Sequence, residues 1–157
     1  MTHGLRTLAG CLTLMLSGLP AALAAQDPQV ALWEAARQGD TLVMGKALAA
    51  GAQVDSLDTG LSRNGRRALN YAALGNHVEA IAWLLGHGAG LNLSNRTGFT
   101  ALHHAAEAGA LAAAGVLLNA GADPEIPNRD GLVASEHGYL DVARLIEEAA
   151  ARTRPRP

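Results

Sequence analysis

Two similar stretches of sequence decide the fold of this chain. Residues 65–92 read GRRALNYAALGNHVEAIAWLLGHGAGLN, and residues 98–125 read GFTALHHAAEAGALAAAGVLLNAGADPE. Identical residues at one constant offset include Gly65/Gly98, Ala68/Ala101, Leu69/Leu102, Ala72/Ala105, Ala73/Ala106, Leu84/Leu117, Leu85/Leu118, Gly88/Gly121 and Ala89/Ala122. A fixed period of about 33 residues indicates an architecture of stacked repeats.

Diverged copies of the same unit lie on both sides. Residues 32–39 (LWEAARQG) match residues 102–109 (LHHAAEAG), and residues 138–146 (GYLDVARLI) match the second half of the unit. The sequence therefore predicts four units, at about 29–57, 58–94, 95–127 and 128–150. Together they form a repeat domain over residues 26–151.

Residues 100–106 read TALHHAA, which is similar to the Thr-Pro-Leu-His-x-Ala-Ala motif of the ankyrin family, and this resemblance implies that each unit forms a short helix, a turn, a second helix and a hairpin-like loop, called a finger below. The alanine pairs allow the first helices of neighbouring units to approach closely, and the leucine pairs fill the space between layers. Glycines at 51, 88 and 121 follow second helices, where a helix C-cap favours positive φ. No unit can bury its apolar face alone, so stability must come from stacking.

The repeat resembles that of the ankyrin family. In the motif at residues 100–106, Ala101 stands in place of the family's proline. The Gly-Ala pairs after the second helices also agree with the family's pattern. The resemblance covers about residues 29–150. It implies an all-α ankyrin-repeat solenoid of about four helix-turn-helix units with short fingers. It also implies protein binding through a concave face.

Three departures from the repeat predict local differences. The spacing from Leu32 to Leu69 exceeds the repeat period by four, which places the extra residues between 57 and 63 and lengthens the first finger. Asn76 stands where other units carry glycine, and asparagine tolerates the left-handed conformation that the turn needs. The last unit lacks the residues equivalent to 100–103, so its first helix should be short.

The concave face would consist of the fingers and the outward positions of the first helices. The candidate partner-binding residues are Arg37, Arg63, Asn64, Arg66, Leu74, Arg96, Thr97, Phe99, Glu107, Arg129, Asp130, Leu132 and His137. Arg63, Arg96 and Arg129 recur at the repeat period and would stack as a ladder suited to an acidic partner. The alternative is that they only solvate the fingers, and nearby acidic residues argue against a uniformly basic groove.

Phe99 is the only phenylalanine and falls at an outward finger position beside Arg96. An exposed aromatic side chain near arginine is a good candidate for a binding hot spot. The competing interpretation is that Phe99 packs against the adjacent finger.

Catalysis and cofactors have no support in the sequence. The chain contains no Gly-x-Ser-x-Gly segment, no phosphate-binding loop and no close carboxylate pair in an evident cleft, and its one cysteine, Cys11, falls in the N-terminal segment. His103 and His104 are neighbours, and side chains at i and i+1 of a helix point in different directions, which disfavours a shared metal. We therefore expect a protein that is not an enzyme, with no cofactor and no metal.

The N-terminal segment, residues 1–25, is typical of a cleavable secretory signal. Arg6 precedes an apolar run at residues 8–16, and residues 22–24 (Ala-Leu-Ala) place small residues where a signal peptidase cleaves. Cleavage is expected after Ala24, or else after Ala25. The alternatives are an uncleaved membrane anchor and, because residues 8–11 read LAGC, a lipoprotein, although most of the apolar run follows Cys11.

Composition narrows the partner and the compartment. Residues of the chain are 49% hydrophobic but 3% aromatic, which disfavours a β-sandwich, and a net charge of −2 gives no reason to bind nucleic acid. Eleven arginines against one lysine, with abundant alanine, are consistent with a GC-rich bacterial genome and hence with the periplasm. We expect a monomer that does not contact the membrane after signal cleavage, and a disordered tail at 152–157.

Three roles are consistent with an exported binding module. The first is a periplasmic adaptor with a protein partner, the second is an immunity protein or inhibitor of a toxin or enzyme, and the third is a secreted effector directed at a host protein. A neighbouring toxin gene would favour the second role, and detection only in the periplasm would argue against the third.

Overall fold

The computed structural model describes residues 27–60 and 63–153. This part of the chain contains seven α-helices and one 3-10 turn, and no strand. The helices are α1 (Pro28–Gln38), α2 (Thr41–Ala49), α3 (Ala68–Leu74), α4 (Val78–Gly86), α5 (Ala101–Glu107), α6 (Leu111–Asn119) and α7 (Leu140–Thr153), and the 3-10 turn spans Ala134–Glu136. The predicted signal at 1–25 lies outside the described residues.

The helices form two layers, as the helix-turn-helix prediction required. One layer contains α1, α3, α5 and then the 3-10 turn, each packed against the next, and the other contains α2, α4, α6 and α7. Alanines of the predicted pairs are fully buried in the first layer, including Ala72 and Ala105. Leu84 and Leu117 are equally buried between the layers. Small side chains thus bring the first helices together, while leucine fills the space behind them.

Left-handed residues end the helices where the sequence predicted them. Gly51, Gly88 and Gly121 have φ values of 100°, 85° and 93°. Asn76 has φ 56° at the turn between α3 and α4, which confirms that it replaces glycine there. Its side-chain oxygen also accepts the Ala113 N–H at 2.9 Å, so this turn is tied to α6 of the next unit.

The last unit is the shortened one. Its first helix is reduced to the 3-10 turn, as the missing residues predicted, and Gly138 (φ 75°) then leads into α7. Helix α7 has 14 residues and ends at Thr153, two residues inside the segment predicted as a tail. Residues 154–157 of that segment lie outside the described residues.

Candidate protein-interaction surface

Each finger is a loop closed by a backbone hydrogen bond. In the second finger the Asn95 N–H donates to the Phe99 carbonyl, and in the third the Asn128 N–H donates to Leu132, both at 2.8 Å. In the first finger Asp58 N–H donates to the Arg66 carbonyl at 2.9 Å, across a loop four residues longer. The insertion predicted between residues 57 and 63 is therefore accommodated inside the first finger.

Asparagine side chains shape the second and third fingers from within. Asn95 Oδ1 accepts the N–H groups of Thr97 and Phe99, both at 2.9 Å. Asn128 Oδ1 accepts those of Asp130 and Leu132, at 2.8 and 3.0 Å. Because each amide oxygen already accepts backbone donors, its position is fixed, and the two fingers present equivalent residues outward.

Neighbouring fingers are joined by equivalent backbone bonds. Arg96 N–H donates to Asn64 O at 2.9 Å, and Arg129 N–H donates to Thr97 O at 3.1 Å. Gly98, with φ 85°, makes this approach possible, since a Cβ there would lie 2.7 Å from the Arg129 nitrogen. The fingers therefore stack in register along one edge of the solenoid.

Arg63, Arg96 and Arg129 lie on three successive fingers, as the repeat period predicted. All three side chains are exposed. Within the described residues none of the three guanidinium groups takes part in an ion pair or a side-chain hydrogen bond. Hydrogen-bonded backbone segments lie about 5 Å apart, so fingers of two segments each would space these charges by about 10 Å. We call these three residues the arginine ladder.

Other candidate cations are already engaged. Arg37 is exposed and pairs with Glu34 one turn away, and the hydrogen bond from Arg37 lowers the pKa of Glu34. The Arg66 guanidinium carbon lies 5.9 Å from the centre of the Tyr71 ring, and this side chain is half-buried. The free positive charge of the candidate partner-binding residues is thus concentrated in the arginine ladder.

The prediction of an exposed Phe99 is corrected by the structure. Its side chain is half-buried, and its ring centre lies 4.9 Å from that of His137, 5.3 Å from His103 and 5.5 Å from His104. Aromatic rings at such distances contact one another. Phe99 therefore packs among rings of its own unit and of the next unit, whereas the alternative interpretation had named the adjacent finger as its packing partner.

The remaining candidates divide by exposure. Asn64, Glu107, Asp130 and Leu132 are exposed, whereas Leu74, Thr97 and His137 are half-buried. Glu107 accepts a hydrogen bond from His104 at 3.0 Å, and His137 lies 3.0 Å from the Asn128 amide nitrogen. Glu107 and His137 therefore also hold the fold together, while Asp130 and Leu132 lie at the free tip of the third finger.

Sequence reasoning missed how the fingers are held to the first helices. Asp58 accepts the Tyr71 hydroxyl, the Asn95 amide nitrogen lies 3.4 Å from His104 Nε2, and Asn128 repeats this contact with His137. Residues 71, 104 and 137 are spaced by the repeat period, so the pattern was present in the sequence. From the sequence, His103 and His104 were considered as metal ligands and His137 as a partner-binding residue, and none was predicted to hold a finger.

Two features are absent from the described residues, a group of metal ligands and a membrane-spanning helix. The described residues contain no group of three or more His, Cys, Asp or Glu side chains that could hold a metal ion. They also contain no helix with the length and apolar character needed to cross a membrane.

Comparison with known proteins adds a family. A family model described as ankyrin repeats (3 copies) matches residues 32–128, which covers the first three units and stops where the shortened fourth begins. This match confirms the resemblance carried by residues 100–106. A search of curated proteins found no match to the chain.

Proposed function

Because the chain belongs to the ankyrin repeat family, whose repeats are generally protein–protein interaction modules, we propose that it is a non-enzymatic binding module that works in the bacterial periplasm. The observation that carries the proposal is the arginine ladder. Its three exposed guanidinium groups, unpaired within the described residues, lie on successive fingers that are joined in register. Such an array favours an acidic protein surface, because arginine forms paired hydrogen bonds with carboxylates.

The ladder extends along the finger edge, and the outward residues of the first helices form the rest of the binding surface. Leu74 and Leu132 supply apolar contact, and Asn64, Thr97 and Asp130 supply polar contact around it. Association with an acidic partner would be steered by charge and would weaken as salt is added.

The decisive experiment compares two variants of equal charge. Arg63→Glu, Arg96→Glu and Arg129→Glu together should abolish capture of the partner by affinity pull-down and mass spectrometry, while the helical circular dichroism stays unchanged. Lys46→Glu, Arg144→Glu and Arg152→Glu make the same change of charge at exposed positions of α2 and α7. This control should retain the partner, and equal capture by both variants would leave the ladder as a solvated feature of the fingers.

The periplasmic location is supported by the signal-like residues 1–25 and by the arginine-rich composition. Fractionation of cells should place the protein in the periplasm, and N-terminal sequencing should find a chain that starts at Ala25 or Gln26. The identity of the captured protein then separates the three roles. A toxin or enzyme that the chain inhibits would make it an immunity protein, and a host protein would make it a secreted effector.

A further inference from the structure

Three histidines hold the second and third fingers to the rest of the solenoid. His103 and His104 lie on α5 with 1% and 2% of their surface exposed, and His137 follows the 3-10 turn. Their rings surround Phe99 and connect two fingers with two units. The direction of each hydrogen bond shows which form of each ring the fold can hold.

His104 has one nitrogen that must accept. Asn95 Oδ1 is occupied by backbone donors, so the atom facing His104 Nε2 at 3.4 Å is the amide nitrogen, which only donates. The Nε2 atom must therefore carry a lone pair. The proton of the neutral ring lies on Nδ1 and is donated to Glu107 at 3.0 Å. Protonation of Nε2 would set two N–H groups against each other.

His103 is held neutral in the same way by a different donor. The Thr100 backbone N–H donates to His103 Nδ1 at 3.2 Å, which leaves the proton on Nε2. Nε2 donates to the carbonyl of Leu132 at 3.2 Å, so this ring ties α5 to the third finger. His137 repeats the first arrangement, because Asn128 Oδ1 accepts backbone donors and its amide nitrogen faces His137 Nε2 at 3.0 Å.

The surroundings of His103 and His104 disfavour a positive charge on either ring. Burial lowers the pKa of His104 to about 4; the hydrogen bond that this ring donates to Glu107 opposes the effect, while Arg66 and His103 lower the pKa further. Burial also lowers the pKa of His103, where the Leu132 carbonyl opposes the effect and His137 adds to it. Beside His137, the Glu136 carboxylate is engaged by the Val133 N–H at 2.8 Å.

The histidines of the second unit make hydrogen bonds in the opposite direction, with the ring nitrogen as the donor. His77 Nε2 lies 3.0 Å from the Arg37 carbonyl, and His87 Nδ1 lies 2.7 Å from the Trp83 carbonyl. A carbonyl only accepts, so these ring nitrogens donate, and protonation of the other nitrogen leaves both bonds intact. Within the described part of the chain, histidine nitrogens that accept a hydrogen bond, and would lose it on protonation, thus lie only in units three and four.

We propose that neutral His103, His104 and His137 form an acid-labile latch, whose protonation releases the second and third fingers and with them partner binding. The last step rests on the proposed function, because Arg96 and Arg129 of the ladder are carried by these two fingers. The ladder itself keeps its charge in acid, since arginine remains protonated at any pH that proteins experience. The chain would bind its partner near neutral pH and release it in acid.

The first test needs only the purified protein. Histidine-selective ¹⁵N NMR at pH 7.5 should show an acceptor nitrogen at Nε2 of His104 and His137 and at Nδ1 of His103. With a folded pKa of about 4 for His104 and an ordinary value of about 6.5, the unfolding equilibrium constant should rise about 20-fold between pH 7 and pH 5 from this ring alone. A doubly protonated His104 ring in the folded protein at pH 6, or no acid-induced rise, would overturn the latch.

Variants test the polarity of the bonds. His104→Gln keeps a neutral acceptor for Asn95, so it should remove the acid-induced rise that this ring contributes, and His87→Gln should leave the rise unchanged. Asn95→Asp replaces the donor with a carboxylate that favours a protonated His104. Its unfolding constant should therefore rise less between pH 8 and pH 6 than that of the wild type. A rise in Asn95→Asp equal to that of the wild type would also overturn the proposal.

The binding step is tested with the protein captured by the ladder experiment. Wild-type binding should weaken at least tenfold from pH 7.5 to pH 5, and the His103→Gln, His104→Gln, His137→Gln variant should keep its affinity at pH 5. Equal losses in both proteins would assign the acid effect to the partner. If no partner is captured, the proposed function fails, while the NMR and unfolding experiments still decide the latch.

Discussion

The first finger and the later two perform the same structural task with different chemistry. In the first, the Tyr71 hydroxyl donates to the Asp58 carboxylate beneath a loop with four extra residues. In the second and third, an asparagine amide donates to a histidine ring nitrogen, which must be unprotonated to accept it. Equivalent positions of the repeat can therefore hold a finger either through a hydrogen bond that needs a neutral histidine or through one that does not.

The turns between first and second helices differ in how closely they contact the neighbouring unit at the two ends of the solenoid. Gly39 in unit one and Gly138 in unit four both have positive φ, at 77° and 75°. A Cβ at residue 39 would meet the His77 side chain at 2.7 Å, whereas one at residue 138 would overlap the Ala106 carbonyl. A side chain can move aside, but the backbone of α5 cannot. The shortened fourth unit is thus held by a much closer contact.

The largest predicted effect tests that contrast. Gly138→Ala should destabilise the protein by at least about 3 kcal/mol, because the left-handed strain of about 1–2 kcal/mol adds to an overlap with backbone. Gly39→Ala should cost about 1–2 kcal/mol, mainly from strain. Urea unfolding followed by circular dichroism measures both. Equal losses in the two variants would mean that α7 can shift on α5, and the contrast between the two ends would disappear.

The next prediction concerns the order in which the two halves unfold in acid. The folded protein holds His104 neutral, so the unfolded chain binds more protons between about pH 6.5 and pH 4, and stability is lost as the pH falls through this window. From pH 7 to pH 5 this ring alone should remove about 2 kcal/mol. Units three and four should therefore unfold before units one and two.

Two spectroscopic signals separate the halves. Trp33 and Trp83 both lie in the first two units, and Trp33 is 4% exposed. During acid titration the helical circular dichroism should therefore begin to fall at a higher pH than the tryptophan fluorescence changes. Coincident transitions would show that the solenoid unfolds as one cooperative unit, and the pH sensitivity would then belong to the whole molecule.

The repeat pattern predicted those features that depend on one unit at a time. Asn76 could be assigned a left-handed turn, and the last first-helix could be expected to be short, because both follow from comparing aligned positions within the chain. Phe99 could not be placed in this way. Besides His103 and His104 of its own unit, its ring contacts His137, which the next unit contributes, so an outward position in an isolated finger becomes a contact once units stack.

The side-chain hydrogen bonds that hold the fingers to the rest of each unit could be predicted from the sequence only in part. Residues 58, 95 and 128 and residues 71, 104 and 137 are all visible in the alignment, but the four-residue insertion shifts the first pair out of period. The sequence also gives no direction for a hydrogen bond. That direction emerges only when the Asn95 oxygen is seen to be occupied by the second finger, which leaves the nitrogen for His104.

The smallest predicted effect isolates the charged partner of the latch. Glu107 lies on α5 with 49% of its side chain exposed, and its hydrogen bond favours a protonated His104. Glu107→Gln should cost less than about 1 kcal/mol at pH 7.5, since solvent screens an exposed pair. It should also lower the pKa of His104 further, because the carboxylate that opposes burial is gone.

The pH dependence of this variant carries more information than its stability at neutral pH. With a lower pKa for His104 in the folded state, the loss of stability on acidification should continue to a more acidic pH than in the wild type, as measured by urea unfolding at a series of pH values. A loss that ends at a higher pH would mean that Glu107 acts on another group. The sensitivity of units three and four would then arise from His103 and His137 and not from the Asn95–His104 hydrogen bond.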